Sequence, residues 1–180
     1  MIIRKFKESD TEQLVSLFYE TVHTSNAQDY SQEQLDAWAP EDERVSKVIS
    51  WQESLRHNST YVAEIRNTLV GFCDMTAQGH LDRLYIHKDF QRQGIASALL
   101  GFIERKARER ALVTITTEAS ITAKPFFEHH GYQTVQAQAV TRRGILLVNY
   151  QMNKEIMPIL DEKACSNTQV YTRKTSFYHE

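Results

Sequence analysis

His80 and Asp82 stand two residues apart in the run His80-Leu81-Asp82-Arg83-Leu84-Tyr85-Ile86-His87. Branched and aromatic residues make this a strand, and its two-residue period puts both side chains on one face. The run breaks at Lys88-Asp89-Phe90, passes through Gln91-Arg92-Gln93-Gly94-Ile95-Ala96-Ser97, and continues as a helix to Ala107. Strand, basic loop with one glycine, and helix together form an anion cradle. The first backbone N–H groups of a helix lack intrahelical partners and carry the positive end of its dipole. Gly94 accepts backbone geometry that other residues resist and allows close approach of a ligand. A carboxylate or an imidazole beside such a cradle suits proton transfer next to a bound phosphate compound. A free Asp titrates near 3.9, so Asp82 would need burial or a relaying water to act as a base. His80, with an ordinary value of about 6.5, is better matched to neutral pH. The competing reading of Asp82 is a salt bridge with Arg83 or with a neighbouring strand, and that of His80 is a polar strand start.

These residues need a scaffold, and the hydrophobic periods supply one. Ile2 to Phe6 reads as a strand. Ser9-Asp10-Thr11-Glu12 reads as a capping box that starts a helix with Leu14, Leu17, Phe18 and Val22 on one face. Ser31-Gln32-Glu33-Gln34 opens a short helix with Leu35 and Trp38 inward. A third helical segment carries Val45, Val48, Ile49 and Leu55. Strands follow at 60–65, 69–77 and 80–87, then the cradle and a helix with Ile95, Leu99, Phe102, Ile103 and Ala107 inward. Val113 to Thr117 is another strand. Ser120 to His130 reads as a helix closed by Gly131, and 132–140 with 144–152 as a final hairpin. The order predicts an α/β (α+β) domain over residues 1–154, with a mixed sheet and helices on both faces.

Gln91-x-x-Gly94-x-Ala96 lacks the Gly-Lys-Ser/Thr of an NTPase loop and is not Gly-x-Gly-x-x-Gly. It resembles the pyrophosphate loop of the GNAT N-acetyltransferases, [QR]-x-x-G-x-[GA]. A second stretch, Ser120-Ile121-Thr122-Ala123-Lys124-Pro125-Phe126-Phe127-Glu128-His129-His130-Gly131-Tyr132, is similar to the later GNAT signature at Ala123, Phe126, Glu128 and Gly131. With Tyr30 to Ala39 it looks like the YafP-type branch of that superfamily. The resemblance implies a mostly antiparallel GNAT sheet and acetyl transfer from acetyl-CoA to an amine by direct attack in a ternary complex. It implies pyrophosphate binding by the backbone of Gln93, Gly94, Ile95, Ala96 and Ser97, with Gln91 and Arg92 alongside. It also implies pairing of the pantetheine arm with Leu84, Tyr85 and Ile86. Ser120 stands where the family has Asn, and either binds CoA or caps its own helix. Lys124 either reaches a CoA phosphate or lies on a solvated helix face. Phe127 replaces the usual acid, Tyr; Tyr85 or Tyr132 could substitute, but packing suits both better and water is the simpler proton source. Tyr30 and Trp38 are candidates for the substrate pocket, which is expected between the first two helices and the last hairpin. The acids at 29, 33, 36 and 41–43 either draw in a cationic amine or serve helix starts.

The 180 residues, 41% hydrophobic and 24% charged, suit one buried domain. A net charge of −2 does not favour nucleic acid. No run spans a bilayer and the start lacks a signal-peptide core, so a cytoplasmic enzyme is expected. Cys73 and Cys165 suit a reducing compartment, and Cys73, His80 and His87 do not form a metal set. The tail, 155–180, reads as an appendage or as a strand docked on the domain or on a second copy, which would give a homodimer. The alternative to catalysis is a non-catalytic acyl-CoA sensor, favoured by Phe127.

Overall fold

The strand-period runs assemble into a single seven-stranded sheet in the order β1-β2-β3-β4-β5-β7-β6. We describe residues 1–157 of a computed structural model. The strands are β1 (Ile2–Lys5), β2 (Ser59–Ile65), β3 (Thr68–Met75), β4 (His80–Ile86), β5 (Thr114–Ser120), β6 (Gln133–Arg142) and β7 (Ile145–Glu155). Every neighbouring pair is antiparallel except β4 and β5. That exception shapes the molecule. The parallel pair is joined only at His80↔Thr116 and Leu81↔Thr117. Beyond these residues the two strands continue without pairing, so the sheet opens into a wedge.

Helices α1 (Thr11–Ser25), α2 (Gln32–Trp38) and α3 (Arg44–His57) precede β2; α4 (Ile95–Glu109) follows β4 and α5 (Lys124–His129) follows β5. Each face of the sheet has its own core. Phe72 and Val62 pack with Leu14 and Leu17 of α1 and Leu55 of α3. Cys73 and Val70 pack with Leu99, Leu100 and Ile103 of α4 and Phe127 of α5. β3 therefore lies at the centre, buried from Leu69 through Met75. The β3–β4 register jumps from Asp74↔Arg83 to Met75↔Leu81, which leaves Asp82 as a bulged residue. A bulge redirects a side chain, and this one turns Asp82 to the mouth of the wedge.

Several local expectations are revised. Ser9 does not cap α1; the Asp10 carboxylate accepts the Lys7 N–H at 2.8 Å and is clamped by Arg4 at 2.8 and 3.0 Å. The box at Ser31 is present, with Gln34 N–H on Ser31 Oγ and Ser31 N–H on Gln34 Oε1. In α3 the inward stripe is Val48, Trp51 and Leu55, while Val45 and Ile49 face solvent. Phe102 is only half-buried, against Tyr61, and Leu100 takes its place in the core. The helix expected from Ser120 begins at Lys124, because β5 continues through Ser120. Gly131, with φ +83°, follows α5 as the pattern requires. The last hairpin turns on Arg143 and Gly144, both at positive φ. Ile156 is buried and its N–H bonds Val113 O at 2.8 Å. Cys165 and the tail proper lie outside the described residues.

Candidate active site

The wedge holds two cavities. The first, of about 420 Å³, runs between the β4 and β5 ends, the 91–97 loop and the start of α5. The second, of about 550 Å³, lies between α1, α2, α3 and the β6–β7 hairpin. Trp38, Asp82, Tyr85, Glu118 and Ser120 line both, so the cavities meet at these five residues.

The loop forms as its sequence requires. Arg92 and Gly94 adopt positive φ, +57° and +77°, and Gly94 leads directly into α4. The first intrahelical bond runs from Ala98 N–H to Gly94 O at 3.0 Å. No side chain caps this terminus, so the preceding amides are available to an anion. A Cβ on Gly94 would meet no protein atom within 4 Å. Gln91 anchors the loop by donating its amide to Ser25 Oγ. Ser97 Oγ lies 3.0 Å from His130 Nε2, whose other ring nitrogen lies 2.8 Å from Phe126 O.

Of the residues expected to hold CoA, Leu84, Tyr85, Ile86, Gln91, Arg92, Gly94, Ala96, Ser97, Ser120 and Phe127 line the first cavity. Ile95 turns its side chain into the core, which leaves only its backbone to the cradle. Gln93 bends back toward Asp89 O at 3.4 Å. Lys124 lies over the Tyr150 ring and pairs with Glu128, off the cavity wall. Ser120 Oγ accepts the Ala123 N–H at 3.0 Å, so it caps its turn while facing both cavities. Asn26 brings a carboxamide beside it, with Nδ2 at 3.4 Å from Ser120 Oγ and 3.2 Å from Thr122 Oγ1. Tyr132 is buried against Phe127 and off both cavities, and burial together with Glu104 raises its phenol well above the ordinary value. Burial raises Tyr85 likewise. Neither phenol is suited to proton delivery near neutral pH.

Asp82 lies 2.9 Å from Arg83, as the salt-bridge reading expects, and it also lines both cavities. Arg83 holds it in place. Its guanidinium stacks 4.5 Å over Trp51, bonds Ser54 Oγ at 3.0 Å and reaches the buried Asp74 carboxylate at 3.0 Å. Asn58 donates to the same Asp74 oxygen at 2.7 Å. Burial still pushes the Asp74 carboxyl up to about 6, against the lowering pull of Arg83 and Asn58. His80 lines the second cavity, with Nδ1 3.0 Å from Thr116 Oγ1. Tyr30 and Trp38 line it too, edge to face at 5.3 Å. The Tyr30 hydroxyl is occupied, donating to Val148 O at 2.7 Å and accepting from Ile121 N–H at 2.9 Å.

Glu118 is a site residue that sequence reasoning misses. The signal is present: Ile115, Thr117 and Ala119 are buried alternately in β5, which sends Thr116, Glu118 and Ser120 to the other face. Half of the acidic arm, in contrast, is neutralised by arginines within the fold. Arg143 takes Asp42 and Glu43, and Arg44 takes Glu41. Among the described residues, no three His, Cys, Asp or Glu side chains are grouped to hold a metal. No helix among them is long and apolar enough to cross a membrane.

A family model described as an acetyltransferase (GNAT) domain matches residues 26–154. The chain belongs to the GNAT acetyltransferase family. It is 37% identical over 150 residues to YafP of Escherichia coli K12, an uncharacterized N-acetyltransferase, covering 83% of this chain and 93% of that one. A GCN5-related N-acetyltransferase structure from Rhodopseudomonas palustris superposes with a TM-score of 0.79 at 28% identity, over 86% of this chain and 95% of that chain. The PaiA N-acetyltransferase of Thermoplasma acidophilum, solved with coenzyme A, shares the GNAT fold with a TM-score of 0.65 at 19% identity, over 86% and 98% of the two chains. As a GNAT enzyme, the protein is an acetyl-CoA-dependent N-acetyltransferase.

Proposed function

We propose that acetyl-CoA occupies the first cavity, that the acceptor amine enters through the second, and that transfer takes place by direct attack where the two meet. The observation that carries this reading is the shared wall of the cavities, Asp82, Tyr85, Glu118, Ser120 and Trp38. The first cavity suits CoA. Uncapped amides of the 93–97 turn face a pyrophosphate, and the backbone of β4 beyond Leu81 is unpaired toward β5, as an extended pantetheine arm requires. A β4 N–H directed into the wedge would stabilise the oxyanion that develops on the thioester carbonyl.

Asp82 and Glu118 supply the carboxylates that take a proton from the acceptor's ammonium, directly or through a water, and so free the amine lone pair to attack the thioester carbonyl. Arg83 keeps Asp82 from swinging away. His80, bonded to Thr116 in the acceptor cavity, is placed to receive a proton next. Phe127 offers no proton to the leaving thiolate, and none is required of the protein; a thiol of ordinary pKa about 8.5 is a tolerable leaving group with water as its acid. A cytoplasmic setting, as expected from the sequence, belongs to the same proposal.

The test is steady-state transfer with an amine panel, read as free CoA. General-base loss typically costs 10²–10⁴-fold, but two carboxylates can partly cover for each other. Asp82→Asn and Glu118→Gln are each expected to lower kcat by roughly ten- to a hundredfold, and the double variant to approach background. Acetyl-CoA affinity should be nearly unchanged in all three. Full activity in the double variant would remove both residues from proton transfer.

A further inference from the structure

The second cavity is not an acidic funnel. Of its wall cations, Arg143 is spent on Asp42 and Glu43, and Arg83 on Asp74 and Asp82. Two remain. Lys47 of α3 and Arg142 of β6 line this cavity, and among the described residues neither is paired with an acid. Neither lines the CoA cavity. Glu118 has no cationic partner among the described residues, and the buried Asn149 Oδ1 has no donor. Asn149 pairs across strands with Ser120, a junction residue, and lines the same second cavity.

The cavity wall thus combines unpartnered acceptors and carboxylates with two cations that have no acid partner among the described residues, and Phe18, Trp38 and Trp51 supply its apolar surface. We propose, resting on the transfer reading above, that the acceptor is an amine that also carries an anionic group on an apolar body, as in an amino acid. Asp82, Glu118 and Asn149 receive the amine, and Lys47 and Arg142 receive the anion. The Lys47 ammonium carries independent support. Burial holds it below the ordinary lysine value, and Arg142 and Arg83 lower it further, against the opposing pull of Glu43. An incoming anion would relieve that positive field. A planar guanidinium beside an ammonium suits a carboxylate well.

Two matched pairs test this: phenylalanine against phenethylamine, and 6-aminohexanoate against hexylamine. Each is assayed for CoA release and, with CoA present, for binding by the fluorescence of Trp38 and Trp51. The acid member should be preferred about tenfold or more in at least one pair. Lys47→Met with Arg142→Gln should abolish that preference while leaving acetyl-CoA affinity intact. Equal or better use of the neutral amines in both pairs overturns the proposal, as does a preference that survives the double variant. Selective binding of the acids without CoA release would uphold the anion subsite and overturn the transfer reading instead. Acetylation of the simple amines alone would do the reverse.

Discussion

Gly94 separates two physical demands that most binding-loop residues mix. Its φ of +77° strains any residue with a Cβ, yet a Cβ there meets no protein atom within 4 Å. The cost to the free protein is therefore conformational, and steric conflict arises only with a ligand. Alanine in the left-handed region costs about 1–2 kcal/mol, and asparagine less because its side chain tolerates that region. For a chain of this size, each kcal/mol lowers Tm by about 2–4 °C. For CoA the order reverses. A larger side chain over the uncapped amides blocks pyrophosphate approach, and loss of one charge-assisted hydrogen bond costs about 1.5–3 kcal/mol, or tenfold and more in Kd. Stability should rank Gly94, then Gly94→Asn, then Gly94→Ala, whereas affinity for acetyl-CoA should rank Gly94, then Gly94→Ala, then Gly94→Asn. Thermal unfolding of the free proteins and calorimetric titration with acetyl-CoA give the two orders. Affinity that follows stability, or Gly94→Asn binding as tightly as the parent, would refute the cradle.

Asp74 gives a pH signature. Its carboxyl sits near 6 in the folded protein, above the roughly 3.9 of an unfolded Asp, so its ionisation opposes folding. Its effect is absent below about pH 4 and grows as pH rises to about 6, reaching roughly 2–3 kcal/mol. Denaturant unfolding should show the stability difference between the parent and Asp74→Asn shifting against the parent across that window; a difference independent of pH contradicts the assignment. Gly71→Ala places a Cβ 2.7 Å from Ile86 Cδ1 and 3.1 Å from Tyr85 O. It should cost about 1–3 kcal/mol by overpacking and, because Tyr85 and Ile86 line the CoA cavity, weaken acetyl-CoA binding as well. Unchanged Tm and Kd would show that β4 yields freely.

The cradle could be read from sequence because it is local. Gln91 to Ser97 carries its geometry in one glycine, one strand end and one helix start. Gly131 and the Ser31 box were readable for the same reason. Ser9 does not cap α1 because the helix starts one residue later, after Asp10, whose carboxylate turns back to Arg4 of β1 and the Lys7 N–H. Ser120 was drawn into a helix by its Ala-x-x-Phe-Phe context, although cross-strand pairing with Asn149 extends β5 through it. That misplaced boundary hid Glu118. The cations of the acceptor cavity were hidden for a deeper reason. Lys47 and Arg142 are brought together only by the tertiary fold, and the pairs by which Arg143 offsets Asp42 and Glu43 span about a hundred residues. Charge counted along the chain says little about charge left over in a cavity.

The junction of the two cavities is tested most directly by a crystal structure with a non-hydrolysable thioether analogue of acetyl-CoA. The pyrophosphate is predicted on the amides of residues 93–97, with the acetyl carbon opening toward Asp82 and Glu118 and facing the second cavity. An acetyl group directed away from those carboxylates, or a pyrophosphate bound off the loop, would contradict it.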